Sequence, residues 1–167
     1  MSVEVLNESD QQLDEARLQR LSRFVMEQLR VHPQAELCVT AVDEPTIAEL
    51  NARWMGKEGP TDVLSFPMDE LRPGLVTAEP EEGVLGDLVL CPAVAARQAA
   101  EAGHSARDEV ELLTVHGMLH LLGYDHGEPE EHREMFALQA RLLEQWFAAD
   151  PDRPAGTPLP VPTVGEG

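Results

Sequence analysis

Apolar and polar positions alternate over residues 3–6, which predicts a short opening strand. From Leu13 to Leu29 the period lengthens. Leu13, Ala16, Leu18, Leu21, Phe24, Val25, Met26 and Leu29 recur close to the helical repeat, with Arg17, Arg20, Arg23 and Glu27 mostly on the wet side. Asn7, Ser9 or Asp10 is the candidate N-cap. Pro33 marks a turn, and residues 36–42 alternate as a second strand, Leu37, Val39 and Ala41 on one face and Cys38, Thr40 and Val42 on the other. Pro45, suited to a first helical position, opens a helix running through Ile47, Leu50 and Trp54. Residues 61–66 read as a third strand ended by Pro67, and residues 68–83 as an exposed loop rich in proline, glycine and acid. Residues 85–90 are the fourth strand. Three helices complete the pattern: an alanine-rich one over residues 93–102, one from about Glu109 to Leu122 capped by Ser105 or Asp108, and a last one after Pro129 carrying Met135, Leu138, Leu142, Trp146 and Phe147.

These elements predict an α/β (α+β) fold: a single domain over residues 1–150 with a small mixed four-stranded sheet packed by about five helices. Past residue 150 the prolines Pro151, Pro154, Pro158, Pro160 and Pro162 stand among mostly small residues and no core face remains. Residues 151–167 therefore read as a disordered, Pro-rich tail.

Composition narrows the picture at one point. A chain of 167 residues with 43% hydrophobic and 26% charged side chains is ordinary for a globular protein, but its net charge of −19 is not. Affinity for nucleic acid comes largely from neutralising phosphates. The acidity argues against tight non-specific RNA or DNA binding by this chain alone, and leaves room for a local basic groove or a substrate presented by a larger assembly. The two cysteines, Cys38 and Cys91, lie in or at the end of separate apolar runs and read as buried free thiols, compatible with a reducing cytosol. No signal peptide and no apolar run near the roughly 20 residues of a membrane helix is present, so the expectation is a cytoplasmic protein.

The chemistry concentrates in His116, His120 and His126. Two histidines four apart on a helix share one face. Gly123 can end that helix in the left-handed conformation and let the chain fold back to bring in His126. Three imidazoles with no fourth protein ligand describe a catalytic zinc site, one Zn2+ per chain, whereas structural zinc sites close with four ligands, mostly cysteine. The spacing H-x-x-x-H-x-x-G-x-x-H matches that of the long zinc-peptidase signature. Those enzymes keep a glutamate general base directly after the first histidine, and here that position is Gly117, which cannot take a proton. Asp125, Asp62 and Asp87 are candidates to orient the imidazoles through their other ring nitrogens, with turn capping or solvation as the alternative for each. His32, His104 and His132 are expected to be solvent-exposed.

The run Val115-His116-Gly117-Met118-Leu119-His120-Leu121-Leu122-Gly123-Tyr124-Asp125-His126 resembles the signature of the YbeY endoribonuclease family, the bacterial rRNA maturation factors. Two upstream blocks are similar to that family's as well: Pro60-Thr61-Asp62-Val63-Leu64-Ser65-Phe66-Pro67 and Leu85-Gly86-Asp87-Leu88-Val89-Leu90. The resemblance runs from about Val3 to Trp146. It implies zinc held by His116, His120 and His126, and a single-strand endoribonuclease acting in 16S rRNA 3′-end maturation and ribosome quality control. It also implies ribosomal RNA and the ribosome or small-subunit proteins as partners. Many members carry an arginine shortly before the proline-threonine block, and here that position is Met55, flanked by Arg53 and Lys57. Either could bring positive charge to a phosphate; an exposed helix end is the alternative for Arg53. Ser65 could donate to a phosphate or satisfy strand backbone. Arg53 and Ser65 are thus the only catalytic candidates beyond the metal site. Two rival readings are an assembly factor that keeps zinc but turns over little, and another metallohydrolase such as a peptidase.

Overall fold

The computed structural model describes residues 2–68 and 85–162; the expected loop over 68–83 lies outside them except at Met68. The strands are β1 (Ser2–Asn7), β2 (Glu36–Ala41), β3 (Val63–Pro67) and β4 (Gly86–Leu90). They form one sheet of order β1-β2-β4-β3, parallel except for the antiparallel pair β3–β4. Five α-helices accompany them among the described residues: α1 (Glu15–Gln28), α2 (Glu44–Leu50), α3 (Pro92–Ala102), α4 (Ala106–Leu121) and α5 (Pro129–Ala148). This is the mixed four-stranded sheet and five helices that the hydrophobic pattern predicts.

The register sorts the side chains into two faces. Val39 pairs with Leu88, Leu88 with Ser65, and Leu90 with Val63, so these residues share the face that receives α1, α4 and α5. Leu21, Val25, Leu112, Leu119 and Leu142 complete that core. The other face is smaller: Leu64 and Phe66 pack with Val42, Ile47, Cys91 and Val94. Cys38 is half-buried and Cys91 buried, both as free thiols.

Several local expectations change. The cap of α1 is Asp14, whose side chain accepts from Arg17 N; Asn7 instead organises the connection before it, accepting from Ser9 N and donating to the Gln11 carbonyl. Ser105 caps the histidine helix through Asp108 N, so α4 begins at Ala106 rather than near Glu109. After α2 the chain takes a π-helical turn, Asn51–Met55, closed by Gly56 at φ 67°. That turn leaves Trp54 50% exposed while its ring meets Phe66 edge-on at 6.1 Å.

Arg17 departs most from its pattern position. The helical period places it on the wet side, yet it is 9% exposed. Its guanidinium donates to Glu111 on α4 at 2.9–3.1 Å and pairs with Asp150 at 3.1 Å, and Trp146 Nε1 donates to the same Glu111 carboxylate at 2.7 Å. The planar fork of arginine satisfies two buried acids at once, which offsets the cost of burying its charge. His104 likewise is not solvent-facing: its ring packs against the fully buried Glu109 carboxylate. The boundary expected near residue 150 falls just past α5, but the segment that follows is not detached. Arg153 makes two 3.0 Å hydrogen bonds to Asp108 and lies 3.9 Å over the Phe147 ring. Among the described residues no helix is long and apolar enough to cross a membrane.

Candidate metal centre

The three histidines come from α4 and the turn that follows it. What seats α4 on the sheet is Gly117. A Cβ there would meet Leu88 Cδ2 at 2.7 Å, Ser65 Oγ at 3.2 Å and Val63 Cγ2 at 3.3 Å. Ser65 donates its hydroxyl hydrogen to the Gly117 carbonyl at 3.1 Å, tying β3 to the middle of the helix. The glycine after the first histidine thus has a packing reason as well as lacking a base: a glutamate at that position would have to displace Leu88 from the core. Gly117→Ala is expected to cost about 1–3 kcal/mol by overpacking, offset in part by roughly 1 kcal/mol of helix propensity. Gly117→Glu should cost distinctly more, because it also buries a charge. Denaturant midpoints of the two variants against wild type check the order; equal midpoints would sink it.

Gly123, at φ 97°, ends the helix; its N–H bonds the His120 carbonyl and Tyr124 N–H bonds the Leu119 carbonyl, each at 3.0 Å. The chain turns back, and Asp125 Oδ1 accepts from the His126 N–H at 2.7 Å. Ring centroids then stand 4.7 Å apart for His116–His120, 5.2 Å for His120–His126 and 5.6 Å for His116–His126. One ligand-capable nitrogen from each ring lies within 4.8 Å of the other two. His116 is fully buried; His120 and His126 are half-buried.

The hydrogen bonds define what those nitrogens can do. His116 Nδ1 lies 2.8 Å from Gln139 Oε1, and His120 Nδ1 lies 3.0 Å from the Tyr124 carbonyl oxygen. Both oxygens are acceptors, so both Nδ1 atoms carry the hydrogen. That leaves lone pairs on the two Nε2 atoms, which face each other at 3.2 Å. Two acceptors so placed repel unless a cation sits between them. The donor set fits a metal ion: three neutral imidazoles, no carboxylate and no thiolate, a combination suited to zinc and its neighbours. Burial, then the neighbouring His116 and His126, pushes the His120 imidazole below the usual histidine range, against the pull of the Tyr124 carbonyl and Asp125. The shift favours the unprotonated ring, the form that can ligate.

The other expected site residues distribute unevenly. Asp125 holds the His126 backbone rather than an imidazole. Asp62 is buried at the head of β3, where its Oδ1 accepts from Val63 N at 2.7 Å and its carbonyl accepts from Cys91 N at 2.9 Å. Asp87 lies in register with Cys38 and Phe66, on the face turned away from α4. Ser65 is beside the histidine helix but engaged with it. Arg53 stands exposed on the π-helical turn with its guanidinium 5.8 Å from the Trp54 ring, and the described contacts do not join it to the histidines. Met55, on the same turn, is 41% exposed. His32 and His132 are exposed, as expected.

Gln139 and Phe136 are the site residues that the sequence pattern did not single out. With His132 they form one face of α5: the His132 ring stacks on Phe136 at 4.3 Å, and Phe136 lies 5.6 Å from His116 and 5.9 Å from His126. The signal for Gln139 was available, since it falls four residues after Met135 and three before Leu142, inside the apolar stripe, where a polar side chain needs a partner. A cavity of about 670 Å3 opens away from this site, at the far end of α4 beside Arg17, Arg107 and Glu111. A smaller depression of about 320 Å3 adjoins the histidine turn and is rimmed by Asp125, Glu131 and Glu134.

Comparison with known proteins bears on this arrangement. A family model described as "Endoribonuclease YbeY" matches residues 4–147. A Nocardioides sp. protein named "Endoribonuclease YbeY" is 72% identical over 148 residues, covering 89% of this chain and 99% of the relative. One of the same name from Thermobifida fusca is 62% identical, covering 87% and 94%. The solution structure of TM1509 from Thermotoga maritima superposes with a TM-score of 0.59 at 28% identity, covering 91% of this chain and 99% of that one.

Proposed function

The chain belongs to the endoribonuclease YbeY family, and from that membership we propose that it is a zinc-dependent endoribonuclease that cleaves single-stranded RNA. Its place would be 16S rRNA 3′-end maturation and ribosome quality control, in the cytoplasm. The observation that supports the metal dependence is the pair of Nε2 atoms 3.2 Å apart on rings whose Nδ1 atoms each face an acceptor oxygen. His116, His120 and His126 would hold the ion, and when bound it supplies Lewis acidity toward a phosphoryl oxygen.

The protein's own groups contribute position and exclusion. Gln139 and the Tyr124 carbonyl keep two rings in the ligating tautomer. Gly117, packed on Leu88 and Ser65, denies the position where a peptidase keeps its base, which weighs against peptide hydrolysis. The acidic rim of Asp125, Glu131 and Glu134, on a chain of net charge −19, repels free polyanions. That supports a substrate presented by the ribosome or its small-subunit proteins rather than RNA captured from solution.

The test is cleavage of single-stranded RNA by purified protein of measured zinc content. Activity is expected to vanish with a chelator and return with zinc, and the product ends identify the nucleophile: a 2′,3′-cyclic phosphate means attack by the neighbouring hydroxyl. Cleavage indifferent to chelation would refute the reading. Met55, in place of the arginine common in the family, favours a second reading, an assembly factor with little turnover. In that case ribosome association persists without cleavage by the zinc-loaded protein.

A further inference from the structure

We infer that Gln139 is a positioning residue of the metal centre: its amide oxygen fixes His116 in the Nδ1–H tautomer and so presents Nε2 for ligation. The inference rests on the metal reading above and extends it to a fourth side chain, from a different helix.

His116 is the one ligand that is fully buried, so water cannot select its tautomer. Gln139 is 1% exposed and meets Nδ1 at 2.8 Å. In the other tautomer Nδ1 would be a lone pair 2.8 Å from an amide oxygen, and Nε2–H would point at His120, where it would block a ligand position. The amide oxygen therefore separates a competent ring from an incompetent one. Phe136, one turn earlier on α5, lies 5.6 Å from the same ring and limits its rotation, so α5 supplies both the acceptor and the wall. The half-buried His120 is served by a backbone carbonyl, which substitution of its own residue does not remove. Of these two rings it is His116 that depends on a side chain for this service, which makes Gln139 a position through which a mutation can retune the site without touching a ligand.

The chemistry predicts a ranking. In Gln139→Glu the carboxylate is a pure acceptor and the tautomer is kept. In Gln139→Leu, of similar volume, the acceptor is lost. Loss of a partner that orients a ligating histidine costs roughly ten- to a hundredfold in metal affinity. Zinc affinity of the full-length chain is measured by competition with a chromophoric chelator, alongside thermal unfolding. Gln139→Leu is expected to bind ten- to a hundredfold more weakly than wild type, and Gln139→Glu within a few fold of it, whatever the two do to the melting temperature. The metal-free, 15N-labelled protein gives an independent readout: two-bond proton–nitrogen correlations should show His116 protonated at Nδ1 in wild type and Gln139→Glu, and as a tautomer mixture in Gln139→Leu. Wild-type zinc affinity in Gln139→Leu, or an Nε2–H His116 in the wild type, would overturn the inference. If wild type binds no zinc, the metal reading fails, and the nitrogen shifts still decide what Gln139 does to the ring.

Discussion

His120→Ala is expected to abolish RNA cleavage while leaving the fold intact. The ring is half-buried, its Nδ1 bonds only a backbone carbonyl, and its Nε2 faces His116. Removing it opens no sealed cavity and strands no buried side chain, so the unfolding midpoint should move little. It does remove one of the three proposed ligands. Lewis-acid stabilisation by a bound metal is worth several kcal/mol. At about 1.4 kcal/mol per tenfold, the rate should fall by roughly a thousandfold or more. His116→Ala should be equally inactive but also less stable, because it empties a fully buried position and leaves Gln139 Oε1 without its donor. Single-turnover cleavage, zinc content and chemical denaturation on both variants separate the two effects. A His120→Ala protein that cleaves at wild-type rate would end the metal assignment.

The largest structural effect is expected at Gly86→Ala. Gly86 pairs with Pro67 in β3 and Leu37 in β2, at φ 135°, a conformation that residues with a Cβ rarely adopt. A Cβ would stand 2.2 Å from the Phe66 carbonyl oxygen, 2.9 Å from Met68 N and 3.0 Å from Pro67 Cα. All three are backbone atoms, so no rotamer change relieves the clash. Forced backbone conformation alone costs about 1–3 kcal/mol, and prising β3 from β4 adds to it. Against a total stability of roughly 5–15 kcal/mol, the variant should be largely unfolded or insoluble near physiological temperature. A melting temperature within a few degrees of wild type would show that the strand pair tolerates displacement. Ser65 reaches α4 from β3, so partial displacement would be felt first at the histidine helix.

Much of this was legible in the chain. Period two and period 3.6 located four strands and five helices, and the spacing His116, His120, Gly123, His126 located a histidine cluster that could hold a metal, together with the turn that joins its members. What stayed hidden depends on partners distant in sequence. Arg17 reads as a surface residue until Glu111 on α4 and Asp150, just past the end of α5, arrive to pair with it. Gly117 reads as a lost base, and only the sheet shows that Leu88 occupies the space a side chain would need. Asp62 looks like a ligand support until its carboxylate accepts from Val63 N at the head of β3, and Asp87 until register places it on the face turned away from α4. Gln139 was the one missed residue with a local signal, a polar side chain inside an apolar stripe.

The three histidines come from one helix end and the turn after it, whereas the contact that seats the helix, Ser65 to Gly117, closes across 52 residues. Loop-closure entropy rises only slowly with length but must be met before long-range contacts form. The ligand cluster can therefore assemble from local structure while β3 is still unpaired. A chain in that state would already offer the three histidines to an ion, and any affinity of the unfolded ensemble subtracts from the stabilisation a ligand gives the native fold. On the proposed metal reading, ion and fold would be only loosely linked: the ligands are local in sequence, and the sheet supplies the long-range contacts.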